Sequence, residues 1–431
     1  MKAPRAVTVI VAMALLLGGC SSAATSAPSV AAPASVAAPA SVAAPASAVA
    51  PASAVAPASA VASGGVSVAW QPSSTCNSTD PVVQQAIKDT IARTTPATTW
   101  FGPTSGPKLK PGVKIVFIPT DATNALSLNW AQDVLAIAKK IGWDATMIDG
   151  KGTAQGWTAA MTQAIALKPA VIMTSADVPT IQSLVKQAHD AGIFVIGLHG
   201  TALAGPDPAL YEYTNITSDP YEIGKAEADY AIADSCGTAK VIIEYDSAYQ
   251  IATIKGQAML AEMQKCKSCE VLAYVNSPLA QLATLQPQLC STWASKYGTG
   301  WYAMTIYDGV WDFCVPALQS AGVSPSAVHL IGSDGTLQAY DRMRAGQYQV
   351  ASVPEPAELQ AYAAVNDANN AVQGLPPTYG TASGQWTQPV YVAFSETGHG
   401  SNLSVAGGDK SQYFPPNDYA NKFLSLWGVT P

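Results

Sequence analysis

The sequence predicts an α/β protein built as two doubly wound parallel-sheet lobes. From about residue 113 onward, short β-branched and apolar runs alternate with segments whose apolar residues recur every three or four positions. That alternation marks strand–helix units stacked into a parallel sheet. The series closes with a helical pattern at 221–233 and then starts again with a second set of strands, so two sheets are expected. The region after about Ser67 is also long enough for two domains of ordinary size.

The first unit is Val113-Lys114-Ile115-Val116-Phe117-Ile118, which reads as a buried strand. Trp130, Val134, Leu135, Ile137, Ala138 and Ile141 follow at helical spacing. Strands are expected at 145–148, 170–174 and 193–198, with helices over 157–166 and 180–191 between them. In the second half, strands at 240–245, 270–275, 301–304, 329–331 and 349–353 alternate with helices at 252–264, 279–296, 309–320 and 337–345. Strand–helix–strand crossovers are right-handed, and open parallel sheets take ligands beyond the carboxyl ends of their strands. The cleft between two such lobes is therefore the expected site.

Ahead of the globular region, Lys2 and Arg5 precede an apolar stretch from Ala6 to Leu17 and then Leu17-Gly18-Gly19-Cys20. This is the pattern of a secretory signal peptide at 1–20, too short to span a bilayer with margin. Small residues ending in Cys20 resemble a lipobox, which makes Cys20 the expected lipidation site and the mature chain membrane-anchored through lipid. Residues 21–65 repeat Ala-Pro-Ala-Ser-Val, with no ionised side chain between Arg5 and Asp80. Frequent proline favours extended chain, so this low-complexity tether has a root-mean-square reach of at least about 40 Å; a glycosylated stalk would serve the same spacing purpose. Residues 66–112 form an N-terminal extension with an expected helix at 81–93. The expected location is the cell envelope, at the outer face of the cytoplasmic membrane or in the periplasm.

A net charge of −7 with scattered Lys and Arg offers no basic stripe, which disfavours a nucleic-acid partner. Besides Cys20 the chain has Cys76, Cys236, Cys266, Cys269, Cys290 and Cys314. An even number outside the cytoplasm points to disulfides, with Cys290–Cys314 the first guess and the full pairing open. Cys266-Lys267-Ser268-Cys269 could be half a zinc site, but no second cysteine pair or histidine pair accompanies it, so no metal is expected.

Ordered fragments then point to a family. Ile118-Pro119-Thr120-Asp121-Ala122-Thr123-Asn124 follows the first strand and Met173-Thr174-Ser175-Ala176-Asp177 ends the third. Ala191-Gly192-Ile193-Phe194-Val195-Ile196-Gly197-Leu198 marks the fourth, and Gln319-Ser320-Ala321-Gly322 leads into His329-Leu330-Ile331-Gly332-Ser333-Asp334-Gly335. In this collinear order, over about 113–425, the chain resembles the type I periplasmic binding proteins, in the ribose-binding-protein-like branch of ABC sugar importers.

The resemblance implies a three-segment hinge near 214–216, 353–355 and 389–394. It divides the chain into an N-terminal lobe (113–215 plus 354–388), a C-terminal lobe (216–353), and a third crossing with C-terminal tail (389–431). It implies a monomeric solute-binding lipoprotein, without enzyme activity or cofactor, that captures a sugar or polyol and delivers it to an ABC permease. A sensor of the same fold presenting solute to a receptor is the alternative.

By position the candidate ligand residues are Asp121, Asn124, Ser175, Asp177, His199, Tyr249, Tyr307, Asp308, Asp334 and Glu355. Carboxylates accept neighbouring hydroxyls through strong charge-assisted hydrogen bonds, and aromatic faces cover sugar rings. Asp177 and Asp308 are equally suited to capping helices. Tyr245 and Trp311 are further aromatic candidates, while Trp130 and Trp143 fit core spacing. His199-Gly200 stands where ribose binders carry Asp-Arg, and the arginine expected near Thr253 is missing, so ribose itself is disfavoured.

Enzyme motifs are lacking: there is no Gly-x-Ser-x-Gly, no His-Glu-x-x-His and no Walker loop, and only four histidines occur. Gly150-Lys151-Gly152-Thr153-Ala154-Gln155-Gly156 has the wrong glycine spacing for a dinucleotide loop and reads as a surface connection. A transcription repressor of this fold is opposed by export and by the lack of a DNA-binding headpiece.

Overall fold

The computed structural model describes residues 69–95, 99–403 and 418–430. The expected signal peptide, the expected lipidation site at Cys20 and the expected 21–65 tether lie outside the described residues. Helix α1 (Pro81–Arg93) precedes the sheets. The first sheet contains β1 (Lys114–Ile118), β2 (Asp144–Met147), β3 (Val171–Thr174), β4 (Phe194–Leu198), β5 (Gly205–Asp207) and β6 (Glu212–Ile216). Its helices are α2 (Ala125–Ile141), α3 (Ala154–Ala166) and α4 (Gln182–Asp190).

The second half begins with α5 (Pro220–Asp234) and alternates β7 (Lys240–Tyr245), α6 (Gln250–Met263), β8 (Glu270–Asn276), α7 (Leu282–Tyr297), β9 (Trp301–Met304), α8 (Val310–Ser320), β10 (Val328–Asp334), α9 (Leu337–Arg344) and β11 (Gln349–Pro354). Then come α10 (Ala357–Ala371), β12 (Ala393–Glu396), β13 (Gly400–Ser401) and α11 (Tyr419–Trp427).

The sheets run β2-β1-β3-β4-β6-β5 and β8-β7-β9-β10-β11-β12-β13. Counted within each lobe, both cores follow the order 2-1-3-4-5, all parallel, with antiparallel β5, β12 and β13 added at the edges. The strand order reverses beside β1 and β7, and that reversal opens a crevice at the carboxyl ends.

Strand alternation separates the cores. Ile115 and Phe117 of β1 face α2, α10 and α11, while Val116 and Ile118 face α3 and α4. Helix α2 begins where the Asn124 side chain accepts from Ser127 N, and it stops at Gly142, whose φ of 76° a side chain would resist. Asp219 caps α5 with Pro220 in its first turn.

The chain passes from the first sheet to the second between β6 and α5, returns between β11 and α10, and passes again ahead of β12. The N-terminal extension divides. Its helix α1 lies on α5, tied by Arg93 to Glu222 at 2.7 Å and to Asp229 at 2.5 Å, and by Lys225 to Asp89 at 2.8 Å. Trp100 and Phe101 instead pack with Trp386, beside α11 of the first lobe. Disulfides join Cys76–Cys236, Cys266–Cys269 and Cys290–Cys314. The Cys266–Cys269 pair therefore closes on itself.

Candidate solute-binding site

The carboxyl ends of both sheets enclose a cavity of about 70 Å³. The first lobe contributes Thr120 beyond β1, Asn124, Leu126, Ser127 and Trp130 at the start of α2, Ser175 beyond β3, and His199 beyond β4. The second contributes Tyr249, Ile251, Ala252 and Lys255 around the start of α6, Leu279, Ile306 and Tyr307 beyond β9, and Asp334 at the end of β10. The lobes touch across the cleft. Ala125 N, at the first turn of α2, donates to Tyr307 Oη at 3.2 Å, and the Trp157 and Tyr249 rings lie 5.6 Å apart.

A buried charge network backs one wall. Lys255 Nζ lies 2.9 Å from Asp334 Oδ1 and 4.0 Å from Glu355 Oε1, and His199 Nε2 lies 3.3 Å from the same Glu355 oxygen. Burial works against the Lys255 charge, but Asp334 and Glu355 overcome it and hold its pKa above the ordinary lysine value. Burial raises the Asp334 pKa, and Lys255 offsets part of that. At Glu355 the balance reverses: burial pushes up, yet His199 and Lys255 bring it below the usual carboxylate value. Burial also pushes Glu227, on the neighbouring α5, well above its usual range.

His199 and Asp334 both adopt positive φ, 61° and 82°. Such a backbone costs a non-glycine residue about 1–3 kcal/mol and persists where the surroundings impose it, commonly at binding sites. Tyr249 is buried, which pushes its hydroxyl up to about 12, so it enters the cleft as a neutral hydrogen-bonding group.

Six sequence candidates meet in this wall: Asn124, Ser175, His199, Tyr249, Tyr307 and Asp334. Asn124 spends its side-chain oxygen on the α2 cap, and the Ser175 hydroxyl pairs with that of Ser127 at 2.6 Å. The other four stand outside the wall. Asp121 turns back onto Thr123, whose backbone N–H and hydroxyl both donate to it at 2.7 Å. Asp177 caps the short 3-10 turn Val178–Ile181 through Thr180.

Asp308 is fully buried and accepts from Gln349 at 2.6 Å, Ser352 at 2.6 Å and Gly335 N at 2.9 Å, so it braces the β10–β11 ends instead of capping α8. Burial pushes it up to about 7. Glu355 lies behind the wall, in the segment joining the two sheets. Tyr245 stacks on Tyr274 at 4.6 Å, and Trp311 is core. The Gly150–Gly156 stretch is a connection whose Thr153 caps α3.

Nine lining residues were not among the candidates, and two of them, Lys255 and Trp130, bear on the buried charges. Lys255 supplies the buried positive charge that appeared to be missing near Thr253. Trp130 has core spacing, yet its ring meets His199 at 4.6 Å and its indole N–H donates to Gln360 at 2.7 Å.

A cavity closed between two hinged α/β lobes defines a solute-binding protein, not a surface that docks macromolecules. The chain belongs to the periplasmic binding protein family: the model described as "Periplasmic binding protein domain" matches residues 115–376, more than half of the chain. Among solved structures it is similar to a sugar ABC transporter protein of Yersinia enterocolitica subsp. enterocolitica 8081, at TM-score 0.60 and 17% identity over 76% of this chain and 99% of that one. A solute-binding protein of Agrobacterium vitis with bound allitol matches at TM-score 0.57 and 18% identity, over 67% of this chain and 97% of that one. One of Bacillus halodurans C-125 with bound myo-inositol matches at 0.56 and 16%, over 67% and 97%. No curated protein matches the sequence.

Proposed function

We propose that this protein captures a small polyhydroxylated solute, a polyol or sugar, between its lobes outside the cytoplasm and hands it to an ABC permease. Asp334 is the observation that carries this reading. Lys255 donates to one of its carboxylate oxygens, and among the described residues no protein group donates to the other. That oxygen is available to neighbouring hydroxyls through charge-assisted bonds. Tyr249, Tyr307 and Trp130 supply apolar ring surface for the C–H faces of the same solute.

The bound allitol and myo-inositol of the Agrobacterium vitis and Bacillus halodurans relatives support this ligand class. The small cavity suits a short polyol with the lobes shut, and a larger sugar would hold them further apart. Capture and release need no covalent step. Lipid anchorage at Cys20, with a monomeric domain on the 21–65 tether, would keep the cleft at the outer face of the membrane that holds the permease.

A thermal-shift screen of the full chain against polyols, monosaccharides, amino acids and nucleosides tests the reading. Solute at 100 times its Kd adds about 2.7 kcal/mol to stability. The expected result is a selective upward shift with a polyol or sugar, weakened at least about ten-fold in affinity by Asp334→Asn, as loss of a charged hydrogen bond predicts. A response confined to amino acids or nucleosides, or none at all, would sink it.

A further inference from the structure

A second cluster of ionisable side chains lies at the opposite end of the second sheet. Strand β10 carries His329 near its start and Asp334 at the cleft, about 17 Å along the strand by its rise per residue. Around His329 stand Asp234, the last residue of α5, Glu396, the last of β12, and His399, in the β12–β13 turn. These two histidines are half of those in the whole chain.

The geometry is that of a coordination shell. His329 Nδ1 lies 3.1 Å from Asp234 Oδ2 and 3.1 Å from Glu396 Oε1, and His399 Nε2 lies 3.2 Å from Asp234 Oδ1. The donor atoms of Asp234, His329 and Glu396 all fall within 4.8 Å of one another. Ligands on a tetrahedral zinc, bonded at about 2.0–2.2 Å, stand about 3.3–3.6 Å apart.

A second observation asks for a cation there. The Asp234 side chain is only 2% exposed, and its Oδ1 receives no hydrogen bond among the described residues. The nearest group to that oxygen is His399. His399 Nδ1 lies 2.8 Å from the carbonyl oxygen of Gln71, which can only accept, so Nδ1 carries the proton. Nε2 then faces that carboxylate oxygen at 3.2 Å, leaving the buried carboxylate open to a further cation.

The outer shell is also built. Tyr302 Oη donates to Asp234 at 2.5 Å, Tyr230 Oη donates to Glu396 at 2.7 Å, and Trp70 stacks on His399 with ring centroids 5.2 Å apart. Such partners orient ligands and hold histidine tautomers.

We infer that Asp234, His329 and Glu396 form a site for a divalent transition-metal ion of the zinc class, with His399 beside it on the second oxygen of Asp234. Imidazole mixed with carboxylate selects zinc-like ions over calcium or magnesium, which take all-oxygen shells. The ion joins α5, β10 and the β12–β13 arm, and it lies beside the Cys76–Cys236 disulfide, two residues beyond Asp234. Metal and disulfide together fasten both the N-terminal entry and the C-terminal arm to the second lobe. The site is independent of the solute reading.

The test uses the untagged full chain in detergent, stripped with chelator and titrated with ZnCl2 by calorimetry and with CoCl2 by visible absorption. A single saturable site, the intense d–d bands of four-coordinate cobalt and a higher melting temperature with zinc are expected. His329→Gln and Glu396→Gln should each weaken binding more than about 100-fold, beyond the 10–100-fold that loss of an outer partner produces. His189→Gln, at an exposed histidine on α4, should change nothing. Should the half-buried His329 variant fail to fold, His399→Gln in the turn tests the same shell. Absence of saturable uptake, or uptake that survives the His329, Glu396 and His399 substitutions, would overturn the inference.

Discussion

Lys255→Met removes one charge while keeping most of the side chain's volume, so its effect reads the cleft network directly. The Lys255 side chain is 3% exposed and faces Asp334 at 2.9 Å and Glu355 at 4.0 Å, with Glu227 adding to its positive bias. Breaking a buried pair by removing one partner costs about 3–5 kcal/mol, because the other charge is left without compensation. The loss has a defined pH dependence. The folded-state pKa of Asp334 already exceeds its unfolded value, and without Lys255 it rises further. A carboxyl raised on folding is most favourable below its unfolded pKa and loses stability as pH rises through the folded value. The variant's deficit should therefore be largest near pH 8 and shrink toward pH 5. Adding Asp334→Asn should recover part of it, since the two residues are coupled. Urea unfolding followed by tryptophan fluorescence at pH 5, 7 and 8 measures all three. A deficit below about 1 kcal/mol at pH 7, or one that does not shrink on acidification, would show that Lys255 is not the counter-charge.

Three further outcomes follow from the packing. In Gly224→Ala a Cβ would sit 2.2 Å from the Lys255 carbonyl oxygen and 3.0 Å from Ala258 Cβ, prying α5 from α6; a loss of at least about 1–3 kcal/mol is expected by thermal melt, and an unchanged melt would refute that close approach. Replacing both Cys76 and Cys236 with Ser opens a link across 160 residues, worth up to about 5 kcal/mol by chain entropy, so stability should fall and α1 amides exchange faster, whereas unchanged exchange would mean that Arg93 and Lys225 hold α1 alone. Burial pushes Glu212 up to about 8, so stability drains away as pH rises from the unfolded value of 4.5 to about 8; Glu212→Gln, compared with the native chain by urea unfolding, should look better at pH 9 than at pH 5, and an equal difference at both would refute it.

The strand–helix alternation was legible because β1, β3, β4 and most of β7 through β11 carry compact apolar runs with helical segments between them. Helix α10 left no such trace. Every residue of it except Glu358 is buried, including Asn366, Asp367, Asn369 and Asn370, so it has no polar face and no 3.6-residue stripe. Its amides are instead spent on tertiary bonds, as where Asn369 accepts from Lys110 N at 2.9 Å. At the cleft, strand-end position located His199, Tyr307 and Asp334 but could not say which way a side chain turns. Asp121 and Asp177 leave the cavity because a short carboxylate at a turn finds a backbone donor two or three residues on, a local bond that competes with any ligand. Lys255 was hidden within α6, whose other ionised residue is Glu262, and charge gives no hint of burial. The Asp234–His329–Glu396–His399 cluster is scattered along the sequence, with only Glu396 and His399 close together, three residues apart in the β12–β13 arm.

The three chain crossings are bonded to one another at the carboxylate that the cleft reads. Ser218, in the first crossing, donates to Glu355, in the second, at 2.5 Å, and Gln388, in the third, donates to Ser218 at 2.8 Å. The other Glu355 oxygen faces His199 from the first lobe and Lys255 from the second. Opening the lobes separates His199 and Lys255 from a common partner, so closure and the charge balance of the hinge are one equilibrium. Among the described residues the direct contacts across the cleft include a hydrogen bond at Tyr307 and an aromatic pair at Tyr249, each worth about 1 kcal/mol. Driving a population from 1:99 to 99:1 closed takes about 5.5 kcal/mol of differential binding. Most of that must come from a solute that bonds to both lobes at once, because only such a ligand distinguishes closed from open.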